Sequence, residues 1–591
     1  MRLGDDLLDC YQRELAYLHD QGAEFARKYP KVAGRLGLVG GESSDPHTER
    51  LIEATAFLAA RVHRDLDRDL PQLAASLLDN LCPSLGQPVP SMSVAEIRLD
   101  PTQGKVTAGL KVPRHTLLST RAGDGQTCHL RTAWETVLWP LQVVEVRVSE
   151  GRLLRIRLRC DEGTDLGELE LDRLRLHLHG DAGSTMPLYE LLVSGVSALA
   201  VQTGDGQRHV LDARHWREVG FADDEDVLPR PPHAPPAYAL LQEYFAFPRK
   251  FQFFEIGGLR GRLGRGRECE LCLTIQGATE RLARLDARVL RTGCVPIVNL
   301  FPRTSEPVRL DGQRHEYRLV ADRHREGITE VHSVLSVQVS DPAAERPQQV
   351  PPYAALDPQD PVHAAGVFWA ARREASVRAD LPGSDVWLSL VDPGLAPARP
   401  DAPVAWARLL CTNRRLAEQI AAGTRLRAEG LSSALQVQCL YPPTPQRDAP
   451  LAGEAMWRLV ALLRLNHGSL VGTTGAGPAQ GAEALRSMLR LFADDSARDL
   501  AQIRGLRSLH ARPCTARIGQ DAWRGHCRGT DVQLEFDEDA YVGGSPLLLA
   551  AVLARFFALY TTLNSFVRLT VRRRDETWKQ WAPISGHQTL L

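Results

Sequence analysis

His510, Cys514, His526 and Cys527 form the one His/Cys grouping that offers four potential metal ligands. A structural zinc site needs four such donors converging tetrahedrally. Adjacent His526 and Cys527 point apart if the chain is extended there, and the spacing matches no common zinc module. Cys269 and Cys272 make a lone C-x-x-C in the strand-like run ECELCLTI. Residues three apart in a strand face opposite ways, so these read as two buried thiols and not as redox or metal chemistry. The segment VGTTGAGPAQGAEALRSML, from Val471, has the glycines of a phosphate loop. Gly477-Pro478-Ala479 stands where a Gly-Lys-Ser/Thr would be needed, which leaves no cation for phosphates and no hydroxyl for magnesium. Gly481 also falls one residue late for a dinucleotide fingerprint, so the segment reads as a flexible connector. No G-x-S-x-G elbow and no H-E-x-x-H is present.

Charged residues give two further candidates. Arg155, Arg157 and Arg159 alternate with Leu154, Ile156 and Leu158, an arginine ladder able to grip phosphate or an acidic partner. The competing reading is a solvated sheet face balanced by Glu168, Glu170 and Asp172 on a neighbouring strand, and it is preferred. The acidic run at 223–226 precedes LPRPPHAPP and is expected to be a loop, where a cluster of carboxylates would lack the fixed geometry catalysis requires. Two reactive classes therefore stay open only as alternatives: a metal-dependent enzyme using His510, Cys514 and His526, and a nucleic-acid-binding module using the ladder.

The elements that would have to position any such site follow from period and punctuation. The chain has 591 residues, enough for roughly three to five domains. With 71 Lys+Arg against 72 Asp+Glu its net charge is -1, without the global footprint of a nucleic-acid binder. Asp5, Asp6 and Asp9 interrupt what would be a signal peptide. The most apolar stretch, 547–563, carries Arg555 at its middle and is short of a bilayer span, so it reads as a buried helix. Eleven scattered cysteines fit reduced thiols.

The first ninety residues have helical period. Leu7, Tyr11, Leu15 and Leu18 line one face of a first helix. Asp45-Pro46 opens a second, with Leu51, Thr55, Leu58, Val62, Leu66 and Leu70 in a stripe, and a third is expected after Pro71. From 91 to about 201 the period becomes two, as in SVAEIRLD and LLRIRLRC. The fold class expected is multidomain α+β: helices at 1–90, a β-rich domain at 91–237, a mixed α/β segment at 238–345, a proline-punctuated β-rich segment at 346–450 and a C-terminal α+β domain at 451–591. Tyr238, Tyr244, Phe245, Phe247, Phe251, Phe253 and Phe254 crowd into YALLQEYFAFPRKFQFF, across a helix-to-strand passage broken by Pro248. Such a cluster fills a core or holds a partner, and core at a junction of two domains is the preferred reading.

Several long blocks resemble one family. YQRELAYLHDQGAEFARKYPKVAGRLGL, DPHTERLIEATAFLAARVHRDLD, TCHLRTAWETVLWP, GFADDEDVLP leading into the aromatic window, CVPIVNLFPRTSEPVRLDGQRHEYRLVAD and WRGHCRGTDVQLEFDEDAYVGGSPLLLAAVLARFFALYTTLNSFVRL occur in the order seen in TssF proteins, baseplate subunits of bacterial type VI secretion systems. Arg249 stands where the family block typically has an acidic residue, and aromatic positions are thinned near 541–549. The resemblance implies a non-catalytic wedge component without cofactor or metal. Two copies would combine with one TssG, TssK would join them, and the wedges would surround VgrG with TssE starting the sheath. It also implies a cytoplasmic location at the inner-membrane face without membrane insertion or nucleic-acid binding, and a likeness to contractile-tail wedge proteins. The first-helix stripe Leu7, Tyr11, Leu15 and Leu18 is then the candidate contact with TssG, with an internal helical bundle as the alternative.

Overall fold

The computed structural model describes residues 5–39, 42–43, 45–100, 105–123, 125–149, 152–231, 234, 236–276, 285–340, 347–353, 366–376, 378, 380–394, 396–398, 403–430, 435–451, 453–463, 478–494, 496–517, 526–559, 561, 565–573 and 576–586. A helical hairpin comes first, formed by Asp5–Lys28 and Pro46–Leu81. Asp45 caps the second helix by accepting the backbone N–H of His47 at 3.0 Å, and Pro46 occupies the first turn, where a missing N–H is harmless. The two helices run antiparallel: His19 Nε2 meets Glu49 Oε1 at 2.8 Å and His63 Nδ1 meets Glu14 Oε1 at 2.6 Å.

The break expected at Pro71 does not occur. One helix of 36 residues continues through it, roughly 54 Å long at 1.5 Å per residue. Ala74, Leu78, Cys82 and Leu85 bury themselves in the body of the protein and anchor the turns beyond Pro71. That anchorage outweighs the ~3 kcal/mol that a proline costs inside a helix.

Past residue 91 the two-residue period produces strands, and their pairing ignores sequence order. Cys294–Val298 pairs with both Met92–Leu99 and Gln126–Thr132. Leu435–Cys439, Arg425–Ala428 and Leu117–Ala122 complete a closed six-stranded barrel. A five-stranded sheet runs Arg208–Leu211, Val196–Thr203, Glu268–Ile275, Leu153–Cys160, Leu141–Ser149. A four-stranded sheet sets Phe253–Ile256 between Trp216–Val219 and Leu174–Leu178, with Leu290–Arg291 outside. The segment from 301 to 412 builds two more sheets over their own apolar core, which includes Val337, Leu388, Ala407 and Leu409.

At the C-terminal end His526–Phe536 and Ser565–Arg573 pair in parallel, joined by the helix Pro546–Leu559. This is a βαβ crossover, and it explains why that helix is apolar all round: it is covered on every side. Its arginine, Arg555, donates to Glu218 Oε2 at 3.0 Å and lies 3.8 Å over the Phe221 ring. No helix among the described residues is long and apolar enough to cross a membrane.

Candidate functional site

All seven residues of the aromatic window are buried, from Phe245 at 6% exposure to Phe251, Phe253 and Phe254 at 0%. Pro236–Ala246 is a helix, Pro248–Phe251 a single 3-10 turn and Phe253–Ile256 a strand. Alternation along the strand sends neighbours to different cores. Phe254 joins Tyr238, Tyr244, Phe245 and Phe251 in the large core shared with the C-terminal helix, whereas Phe247 and Phe253 belong to the barrel core. Trp216 stacks on Phe254 at 5.1 Å, and Trp134 meets Phe253 edge-on at 5.2 Å.

Buried polar groups fasten this junction. Lys250 and Glu243, both 0% exposed, form an ion pair, and Glu243 Oε1 accepts the backbone N–H of Val227 at 2.7 Å and of Leu228 at 2.8 Å. The acidic run expected to be a mobile loop is a fixed part of the same junction. Glu225 is 4% exposed, and its Oε2 accepts the N–H groups of Gly220, Phe221 and Ala222 at 2.7, 3.0 and 3.1 Å. Sequence reading missed this because a turn of acids followed by prolines looks the same whether its carboxylates face water or backbone amides. Arg249 lies 3.7 Å over the Tyr441 ring, whose hydroxyl contacts His179 Nδ1 at 2.9 Å.

The reactive candidates come apart. His510, Cys514 and Cys527 share one face of a hairpin in which Cys514 stands opposite Gly529 and Cys527 opposite Ala516; His526 points the other way. Among the described residues no three His, Cys, Asp or Glu side chains are placed to hold a metal ion. Cys269 and Cys272 are 2% and 3% exposed, and burial pushes the Cys269 thiol up to about 12. The glycines Gly475 and Gly477 lie outside the described residues; the helix Pro478–Leu489 follows them.

The arginine ladder is paired within its own sheet, though not with Glu168, Glu170 and Asp172. Arg155 and Arg157 both bind Glu270, at 3.2 and 3.0 Å, and Arg159 binds Glu268 at 2.6 Å. The partner strand is Glu268–Ile275, distant in sequence but adjacent in the sheet. A small polar cavity among Arg318, Glu330, Asp385 and Arg414 is likewise occupied with internal pairing, such as Arg318 to Asp385 at 2.8 Å.

What faces outward is the helical hairpin. Ala56 and Ala60, both 0% exposed, and Cys10 at 5% form its seam, small side chains that let helices approach closely. Leu51, Leu58 and Val62 are 68%, 60% and 58% exposed, and Leu73 and Leu77 continue the same 3.6-residue stripe toward the body. That stripe lies on the far side of the helix from Ala56 and Ala60. On the first helix Leu7, Tyr11, Leu15 and Leu18 are half-buried, while Leu8, Tyr17 and Phe25 are exposed. The legible signal was that the long helix is apolar on two sides, one rich in alanine and one in leucine.

Interlocked cores carrying an exposed apolar hairpin define a component of a larger protein assembly. The family model "Type VI secretion system, TssF" matches residues 3–588, and the chain belongs to that family. It is 37% identical to the type VI secretion system component TssF1 of Pseudomonas aeruginosa over 99% of both chains. Among solved structures it resembles a chain of the type VI secretion system TssK-TssF-TssG baseplate subcomplex, with 25% identity, a TM-score of 0.71, and coverage of 92% of this chain and 100% of that one. A chain of the baseplate complex from the type VI secretion system shares the fold at 22% identity and a TM-score of 0.57, covering 99% and 100%.

Proposed function

We propose that this chain is a non-catalytic scaffold of a type VI secretion baseplate wedge, assembling as two copies with TssG and joined by TssK. In that reading the wedges surround VgrG, TssE starts the sheath, and the assembly stands in the cytoplasm at the inner-membrane face. The observation that carries it is the uncovered apolar stripe on a helix otherwise anchored in the body. Leucines of a monomer rarely line up in water over so long a face, and a partner helix is the natural cover.

We assign two contact surfaces, the stripe of Leu51, Leu58 and Val62 on the long helix and, on the first helix, Leu7, Tyr11, Leu15 and Leu18. Substituting Leu51, Leu58 and Val62 together by Asp removes exposed groups only, so the lone chain keeps its fold and thermal midpoint. Each side chain buried against a partner is worth roughly 1.5–3 kcal/mol, so the triple variant loses at least about 100-fold in affinity for TssG. Co-purification with tagged TssG reads the effect. A folded triple variant that still co-purifies at wild-type yield sinks the assignment. Tyr11→Asp with Leu15→Asp tests the first helix in the same assay, with the fold checked by circular dichroism because both side chains are half-buried.

A further inference from the structure

Most deeply buried cations of this chain have partners. Lys250 pairs with Glu243, and Arg373 donates to the carbonyl of Val331 at 3.0 Å and to Ser384 Oγ at 2.6 Å. Arg131 does not. It is the next-to-last residue of the barrel strand Gln126–Thr132 and is 8% exposed, yet no hydrogen bond or ion pair to another described residue holds its guanidinium, and its Nε is buried without an acceptor. Arg114 beside it also has a buried Nε without an acceptor; its Nη2 donates to the carbonyl of Asp226 at 2.8 Å.

No carboxylate stands among the charges that act on Arg131. Burial first, then the Arg114 charge, hold it down to about 10. His115 is an exposed residue whose ring is partly shielded; that shielding first, then Arg131 and Arg114, hold it down to about 4. It adopts φ 66, a left-handed conformation uncommon outside glycine but one that His enters more readily than most, with its N–H bonded to the carbonyl of Thr132 at 2.9 Å. His332, 2% exposed on the strand Glu330–Ser340, is held down to about 3 by burial, then by Arg373 and Arg131. Two guanidinium groups, the buried His332 imidazole and the exposed His115 thus lie within electrostatic reach of one another where the barrel abuts the neighbouring sheet. A charge this buried is normally paired, and an unmatched one calls for an ion or a water to meet it.

We propose that Arg131 and Arg114 bind a small oxyanion of the phosphate class at this corner. Two planar forks of N–H donors match an oxyanion's several acceptors, which a lone halide lacks. The slight exposure of Arg131 restricts the occupant to something small. The site is independent of the wedge reading, since it concerns the isolated chain.

Equilibrium dialysis against radiolabelled inorganic phosphate, on protein purified in oxyanion-free buffer, tests it. The chain is expected to take up phosphate saturably, one ion per molecule, and to gain thermal midpoint over a chloride control of equal ionic strength. Arg131→Met abolishes both effects, while Arg121→Met, at an exposed position on the adjacent strand, keeps them. Arg114→Lys retains the charge without the fork and binds at least about tenfold more weakly, which keeps the test decisive if the methionine variant misfolds. Absence of uptake by the wild type, uptake undiminished in a folded Arg131→Met, or equal stabilisation by chloride overturns the proposal. Retention of label after assembly with TssG and TssK supports it. Displacement on assembly assigns the corner to a partner's carboxylate and overturns the small-ion reading.

Discussion

Lys250 is tied to Glu243 at the point where helix, turn and strand of the aromatic window meet, with both side chains fully buried. Removing one member of such a pair leaves the other stranded, so Lys250→Met should cost ~3–5 kcal/mol. Adding Glu243→Gln should restore much of that loss, because the amide oxygen still accepts from Val227 and Leu228. Denaturant midpoints of the two variants check this. Asp79, at the foot of the long helix, is raised from 3.8 to about 6 by burial, against the opposing pull of Arg373. Its folded form therefore holds the proton more tightly than its unfolded form. The stability it contributes is greatest below about pH 4 and is lost as pH rises to 6. Asp79→Asn should flatten that window and stabilise the chain at pH 7.5 by ~1–3 kcal/mol, measured as unfolding midpoints at pH 4.5 and 7.5. An unchanged pH profile would refute the assignment. At this scale the sequence was legible in residue type and not in partner. The aromatic window announced burial, but nothing near Arg249 pointed to Tyr441, and nothing near Arg157 to Glu270.

Helices were the readable elements, because their signals are local. The Asp45-Pro46 start sits where the cap chemistry puts it, and the apolar stretch at 547–563 overlaps the buried helix Pro546–Leu559 over most of its length. Pro71 misled because a local rule was overridden by anchorage farther along the chain. Strand existence followed from the two-residue period, while strand order did not: the barrel draws on residues from 92 to 439, and no periodicity encodes which edge meets which. The βαβ unit also rests on one non-local contact. Gly529 lies against the Phe566 ring, and a Cβ placed there would come within 2.4 Å of it. Gly529→Ala should push Phe566 from its buried position and cost ~1–3 kcal/mol, seen as a lower thermal midpoint and faster proteolysis of the C-terminal region. A wild-type midpoint in that variant would show that the parallel pair is looser than the packing implies.

For the whole molecule, the near-neutral charge and the internally paired arginine ladder leave no strong polyanion footprint, and the His/Cys candidates do not converge. The uncovered hairpin is the surface that distinguishes this chain from a self-sufficient globular protein. It was half legible: the leucine stripe could be read from its spacing, but which of the long helix's two apolar sides would be covered depends on how the hairpin closes, a tertiary fact. The central claim is that the stripe is an assembly surface, and mass measurement of the intact complex after co-expression with TssG and TssK tests it most directly. The account predicts two copies of this chain per TssG, an assembly that dissolves when Leu51, Leu58 and Val62 all become Asp. A chain that stays monomeric beside both partners, or a complex of wild-type mass formed by the folded triple variant, would contradict it.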